Sequence, residues 1–271
     1  MPKFPPKFLM FGCGNMGGAM LRGWISGGVS PSELAVVDPR AESLPPGINV
    51  FRSAGELDTK FDTVFLGIKP QMLPDLADQI AGLLATDAML VSILAGTQTS
   101  TLSAYFPGTR IVRLMPNLSA AIGKSPMGLF SRALDAEGRQ SVEKFLAPLG
   151  THVWLNDEAD MNAVTALAGS GPAFVYRFID ALTQGGMALG LDANISQKLA
   201  VSMVEGAAIL AANANEDPAQ LAQRVTSAGG TTAAGLEILD ADQALVDLVA
   251  ATLRAASDRG AALAKETEKS G

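Results

Sequence analysis

Near the C-terminal end of the chain, Arg224-Val-Thr-Ser-Ala-Gly-Gly-Thr-Thr-Ala-Ala-Gly-Leu-Glu-Ile-Leu239 places two adjacent glycines among hydroxyl residues and then opens into an apolar run at helical spacing. Gly229 and Gly230 have no Cβ, so the chain there can take up positive φ and let a ligand come close to its backbone. The first N–H groups of the following helix have no partner within it and point at whatever lies in front. With Ser227, Thr231 and Thr232 beside them, these groups suit a small anion such as a carboxylate. A capped helix after a tight loop would use the same residues, and this segment alone does not choose.

A second glycine signature lies at the opposite end. Gly12, Cys13, Gly14, Asn15, Met16 and Gly17 spell Gly-x-Gly-x-x-Gly between an apolar strand and a helical stretch that ends near Ser26. In that context the motif binds a dinucleotide. Gly12 forms the tight turn, Gly14 admits the pyrophosphate, and Gly17 lets helix and strand pack closely. Asp38 ends the next strand, where an acidic residue accepts the ribose hydroxyls of NAD. Arg40, two residues on, could pair the 2′-phosphate of NADP in a fork, so both cofactors stay open. Cys13 sits at a helix N-terminus, a setting that favours a thiolate, but a small residue fitting a crowded turn is the preferred reading.

Three further segments fall just beyond strand ends: Gly67-Ile68-Lys69-Pro70-Gln71, Leu94-Ala95-Gly96-Thr97 and Met115-Pro116-Asn117. Each could be a strand stop. Three on one rim favour a shared cofactor face.

Those ends must be positioned by regular elements. From residue 8 to 155, short β-branched runs (Phe8–Gly12, Leu34–Asp38, Thr63–Ile68, Met89–Leu94, Ile111–Met115, His152–Leu155) alternate with helical stretches (Met16–Ser26, Met72–Leu84, Thr99–Tyr105, Ala136–Leu149). That alternation predicts a parallel sheet with helices on both faces. Beyond about residue 157 only helices are read: Asp160–Ala168, Ala173–Leu189, Ile195–Asn213, Pro218–Val225, Thr232–Leu239 and Gln243–Lys265. Pro172 and Pro218 stand as first-turn prolines, the latter after an Asp217 cap. Two domains are expected, residues 1–156 and 157–271. The run Ala200–Ala212 carries one charge, Glu205, and a helix apolar nearly all round must be covered on most faces. The helices are therefore expected to pack against a second copy of the chain, with the substrate pocket near that boundary.

Composition narrows the partners. The chain has 271 residues, a net charge of −7 and 48% hydrophobic residues. Its pI is about 4.8 and its mean hydropathy +0.25. This acidic balance offers no general attraction to nucleic acid or to an acidic membrane. The apolar run after Met1–Lys7 is too short for a signal-peptide core or a membrane span, which points to a cytoplasmic protein. A single cysteine, Cys13, rules out an internal disulfide or a cysteine metal cluster, and no metal is expected.

Taken together, Gly12-Cys-Gly-Asn-Met-Gly17, Gly67-Ile-Lys-Pro70, Arg113-Leu-Met-Pro-Asn117, Gly169-Ser-Gly-Pro172 and Ser227-Ala-Gly-Gly-Thr-Thr232 resemble the pyrroline-5-carboxylate reductase family over nearly the whole chain. The resemblance implies an α/β N-terminal Rossmann domain with a doubly wound, mostly parallel sheet, and an all-α C-terminal dimerisation domain. It implies NAD(P)H-dependent reduction of a cyclic imine, completing proline biosynthesis, by a homodimer that could assemble further. Gly12–Gly17 would then meet the pyrophosphate, and Ile68, Lys69 and Ala95 would line the nicotinamide side. Ser227 and the backbone at Gly230 and Thr231 would meet the substrate carboxylate, and Thr232 would reach the ring nitrogen. The chain departs from the family pattern at Leu118, Ala228, Ala54 and Asp38. Those departures bear on the 2′-phosphate contacts more than on the chemistry.

Reducing a C=N bond asks little of the protein, because the imine nitrogen can carry its own proton. A 2-hydroxy-acid dehydrogenase needs a His acid–base group, and the only histidine, His152, reads as a structural strand residue. Related 3-hydroxy-acid dehydrogenases place a Lys in the first helix of the second domain, and residues 162–167 contain none. Imine chemistry is therefore favoured over carbonyl chemistry. A six-membered cyclic imine and a dinucleotide-binding sensor without turnover remain as alternatives.

Overall fold

A computed structural model describes residues 7–42 and 44–269, with side chains through Ala264. Most of the Met1–Lys7 segment and the last two residues of the charged tail, Ser270 and Gly271, lie outside the described residues. The chain divides into two compact units, one of residues up to Ser170 together with Ala255 onward, the other Gly171–Arg254. The boundary expected at residues 156 and 157 falls within the first unit.

The first unit is built on β1 (Phe8–Phe11), four apolar residues all buried. Pleating sends alternate side chains to opposite faces. Phe8 and Met10 enter one core with α1 (Asn15–Ser26), while Leu9 and Phe11 enter the other with α2 (Leu73–Leu83) and α3 (Thr99–Tyr105). A strand buried on both faces reads as a continuous apolar run, which is the pattern seen. Beside β1 lie β2 (Leu34–Val37) and β3 (Asn49–Phe51) on one flank. On the other lie β4 (Phe61–Leu66), β5 (Leu84–Ser92), β6 (Arg110–Met115), β7 (Ser125–Phe130) and β8 (Gly150–Trp154). The order is β3-β2-β1-β4-β5-β6-β7-β8, and every neighbouring pair is parallel except β6 with β7. Strand order reverses between β1 and β4, and open sheets of this kind bind ligands outside the strand ends at such a reversal.

β3 and β7 were not expected from the sequence. β7 carries Pro126, which reads as a strand stop. Its antiparallel pairing with β6 covers only Gly128–Phe130, while its parallel pairing with β8 runs from Ser125 to Leu129 and sets Pro126 opposite Thr151. Helix α1 is fixed by Trp24, which is fully buried, stacks on Phe145 at 4.9 Å and donates its indole N–H to the Phe145 carbonyl at 2.9 Å. Phe145 lies in α4 (Ala136–Leu146), so this contact joins two helices on one face. A short helix α5 (Met161–Val164), continued by one wide turn to Gly169, closes the first unit's run.

The second unit holds α6 (Gly171–Ala188), α7 (Ala193–Asn213), α8 (Pro218–Arg224), α9 (Thr231–Leu239) and the start of α10 (Ala244–Lys269). Asp217 caps α8 in a reciprocal capping box with Gln220, with Pro218 at the first position. α6, α8 and α9 bury no residue within the chain. Tyr176, Phe178, Leu210, Ile238 and Leu248 all stand exposed. α7 is the one helix among the described residues long and apolar enough to cross a membrane, by length and composition only.

Candidate active site

At the strand-order reversal the chain bends sharply. Gly12 has φ of +84° and donates its N–H to the Val37 carbonyl at 2.8 Å. A Cβ there would lie 2.6 Å from Cγ2 of Ile68, so the glycine lets the end of β1 and the loop after β4 meet. A Cβ on Gly17 would lie 2.9 Å from the Met10 sulfur, which is the close helix–strand packing expected of that position. Gly14, by contrast, faces open space. It begins α1 with no side-chain cap, and no acidic residue stands in the first turn, so the helix N-terminus suits an anion. A cleft of about 270 Å³ opens over this point, lined by Gly12, Gly14, Asp38, Arg40, Arg52, Ser53 and Lys69 among others. Asn15 is exposed and Met16 half-buried at the start of the helix.

The Asp38 carboxylate shapes this cleft. One oxygen accepts the Cys13 N–H at 2.7 Å and the other the Arg40 N–H at 2.8 Å. It ties the glycine loop to the turn after β2, and its oxygens keep lone pairs for further donors. The Arg40 side chain is exposed at the cleft. Arg52, which sequence reasoning missed, donates to the carbonyls of Pro39 and Ala41 at 3.4 and 3.1 Å and so holds the same turn. Nothing local in Phe-Arg-Ser signals that reach. For Cys13 the small-residue reading holds over the thiolate: burial, with the Asp38 carboxylate alongside, pushes its thiol up to about 12. Arg22 lowers it by less than these two effects raise it, and Cys13 is a neutral small residue in a crowded turn.

Farther along the rim, Lys69 and Ala95 are exposed, Ile68 is half-buried, and Pro70 opens a short turn before α2. Gly96 has φ of +74°. Asn117 is buried and occupied at both ends of its amide, accepting the Ser119 N–H and donating to the Ala168 carbonyl, each at 2.9 Å. Its first role is to hold the turn after β6 in place.

Also unanticipated is a buried charged cluster beside the Gly96 loop. Glu158 takes hydrogen bonds from Thr99 and Arg113, and Arg132 reaches it from outside. Burial alone would raise its carboxyl, but the Thr99 and Arg113 hydrogen bonds outweigh that and hold it below the ordinary carboxylate range. The available signal was an arginine inside an otherwise apolar strand, Ile-Val-Arg-Leu-Met, which must find a partner if buried. His152 lies on β8 with its ring 3.9 Å from Glu143, away from these groups in the fold.

In the second unit, the Ser227–Thr232 loop joins α8 to α9. Gly229 has φ of +69°, and the Gly230 N–H closes the turn on the Ser227 carbonyl at 3.0 Å. A Cβ on Gly230 would collide with the Ser227 hydroxyl oxygen, so the glycine keeps that hydroxyl against the start of α9. Gly230 is itself the cap residue and no side chain caps the helix. Thr231 and Thr232 are exposed in the first turn, so Thr232 is not the helix cap. The exposed hydroxyl residues Ser227, Thr231 and Thr232 thus lie at or beside the uncapped start of α9.

Comparison with known proteins agrees with this arrangement. Residues 158–263 match the family described as pyrroline-5-carboxylate reductase dimerisation. Residues 7–96 match the family described as NADP oxidoreductase, coenzyme F420-dependent. A pyrroline-5-carboxylate reductase of Pseudomonas aeruginosa is 34% identical, the alignment covering 96% of this chain and 98% of that protein. A Coxiella burnetii pyrroline-5-carboxylate reductase structure matches with a TM-score of 0.86 at 27% identity, covering 97% and 98%. A Plasmodium falciparum pyrroline carboxylate reductase, solved with NADP bound, matches with a TM-score of 0.83 at 25% identity, covering 95% and 98%. A doubly wound sheet with a glycine cradle at its reversal, a helical unit bearing a hydroxyl-and-amide loop, and this likeness over almost the full length lead to one conclusion: the chain belongs to the pyrroline-5-carboxylate reductase family.

Proposed function

We propose that the chain reduces 1-pyrroline-5-carboxylate to L-proline with NADPH, the last step of proline biosynthesis. The observation that carries this reading is the exposed cradle at the start of α9, where Ser227, Thr231 and Thr232 hydroxyls stand beside unpaired helix N–H groups. Such a cradle fits a carboxylate and has no basic residue of its own, as suits a small, single-charged acid.

The cleft above Gly12 and Gly14 fits a dinucleotide, because the Gly14 position is open and the first turn of α1 holds no acidic residue. Gly12–Gly17 would hold the pyrophosphate, and Asp38 and Arg40 the adenosine ribose. Ile68, Lys69, Pro70, Ala95, Gly96 and Asn117 would frame the nicotinamide end. When bound, the cofactor supplies the hydride. The chain's own part is to hold the imine's carboxylate on Ser227, Gly229, Gly230 and Thr231, to exclude water, and to offer the Thr232 hydroxyl to the ring nitrogen. That nitrogen brings its own proton, so no histidine or lysine acid is required, and His152 is left to its strand.

The exposed apolar faces of α6, α7 and α9 support a homodimer in which a second copy covers them, and a higher assembly of dimers would use the same logic. We place the protein in the cytoplasm, where NADPH is supplied, and take residues 157–271 as its dimerisation and substrate-binding part.

Steady-state consumption of NADPH and NADH with 1-pyrroline-5-carboxylate and with its six-membered homologue tests the reading. Turnover of the five-membered imine to proline is expected. One extra methylene is worth only about 1–3 kcal/mol in a pocket, so weaker use of the homologue is compatible. Exclusive turnover of the homologue would reassign the substrate. Dinucleotide binding without turnover of either would make the chain a sensor.

A further inference from the structure

The segment Ile93–Gln98 follows β5 at the carboxyl rim of the sheet, next to the end of β4 that carries Gly67–Pro70. Its start is held, the Ile93 N–H meeting the Leu66 carbonyl and the Leu94 N–H the Ser92 hydroxyl, each at 3.2 Å, but few bonds fix the part that follows. The Thr97 N–H reaches the Leu94 carbonyl at 3.3 Å, while the Thr97 hydroxyl is buried without a hydrogen-bond partner. α3, which follows, is seven residues long, and its cap residue Gln98 makes no side-chain cap bond.

The cap comes from elsewhere in the fold. Oε1 of Glu158 accepts the Thr99 N–H and Oε2 accepts the Thr99 hydroxyl, both at 2.7 Å. Oε1 also takes Arg113, in β6, at 2.9 Å. Thr99, Arg113 and Glu158 are each more than nine-tenths buried. A carboxylate at a helix N-terminus is favourable, and a buried ion pair is weak evidence for stability but well suited to fixing position. Three segments distant in sequence therefore meet at one carboxylate, directly behind the loop that frames the nicotinamide end.

We infer that Glu158 is a positioning residue for the reduction: it clamps the start of α3 to β6 and thereby sets Ala95, Gly96 and Thr97 against the nicotinamide end of the cofactor. This rests on the imine-reductase reading above. The clamp acts through the loop, and Glu158 touches no reacting atom.

The test uses the full-length protein with Glu158→Gln, which keeps the shape and removes the charge, and Thr99→Val, which keeps the backbone bond and removes the hydroxyl. Wild-type turnover is measured first and bears on the parent reading alone. For each variant, kcat, both KM values, melting temperature, the fluorescence of bound NADPH and the affinity for adenosine 2′,5′-bisphosphate are then compared. Small misplacements at a reacting centre cost up to about a hundred-fold, so Glu158→Gln should lower kcat roughly ten-fold or more. It should also shift the emission of bound NADPH while leaving the bisphosphate, which fills only the adenosine end, bound with nearly wild-type affinity. Thr99→Val should move kcat and emission in the same direction by less. A folded Glu158→Gln variant with wild-type kcat and emission overturns the inference. If Glu158→Gln does not fold, unchanged kcat and emission in Thr99→Val overturn it instead. If the wild type proves inactive on the imine, the emission and bisphosphate measurements still decide whether the clamp sets the nicotinamide end.

Discussion

Replacing Thr232 by valine removes one hydroxyl and almost nothing else. Both side chains are β-branched and stiff at χ1, so the first turn of α9 should keep its conformation. The loss of a helix cap would ordinarily cost about 1 kcal/mol, but the cap residue here is Gly230, and Thr232 is exposed beyond it. The expected change in stability is therefore that of a surface substitution, within about 0.5 kcal/mol. The expected change in rate is much larger. As the imine becomes an amine, its nitrogen lone pair becomes available to a donor, and a bond stronger in the transition state than in the ground state accelerates the reaction. Removing one positioned donor of this kind typically costs about 10²–10³-fold in kcat, or ~3–4 kcal/mol. The two effects separate cleanly in a pair of measurements, a thermal melt and a steady-state rate at saturating imine and NADPH. A variant that melts as the wild type does and turns over a hundred times more slowly supports the role. A variant whose kcat stays within about two-fold of wild type refutes it, whatever its melting temperature.

Arg40→Ala should raise the NADPH KM about ten-fold or more and leave NADH nearly unchanged, because a charge-paired phosphate contact contributes roughly 1.5–3 kcal/mol. Equal effects on both cofactors would show that Arg40 does not read the phosphate. Sedimentation at sub-micromolar concentration should reveal no folded monomer, given the bare apolar faces of α6 and α9; a stable, active monomer would sink the dimer reading. Cys13 should resist alkylation in the folded protein at neutral pH, since a thiol moved from 9.0 to about 12 is roughly a thousand-fold poorer in thiolate. Its reactivity should rise on denaturation, and fast labelling of the native protein would contradict the burial argument.

Much of this protein is determined by the sequence alone, wherever the governing physics is local. Apolar runs specified β1 and β2, and largely apolar ones β4 and β6, because a strand covered on both faces needs no polar alternation. The glycine spacing at 12, 14 and 17 located the cofactor cradle, since steric room at a fixed turn is a property of a few consecutive residues. The Asp217-Pro218 start of α8 was legible for the same reason. The bare surface of Ala200–Ala212 was legible as composition.

What only the tertiary structure decided is set by partners far away in the chain. β7 went unread along the chain and is defined only by its pairing, Ser125–Leu129 with β8 and Gly128–Phe130 with β6. Cys13 became inert because the fold buries its thiol and sets Asp38, 25 residues on, beside it. Glu158 acquired its place by meeting Thr99 and Arg113, 59 and 45 residues away. Thr232 is free of a capping role because the cap of α9 is Gly230, two residues before it. Propensity and periodicity act over a few residues and can be read along the chain. Burial, hydrogen-bond partners and the charge state they enforce depend on which segments the fold brings together, and no local pattern encodes that meeting.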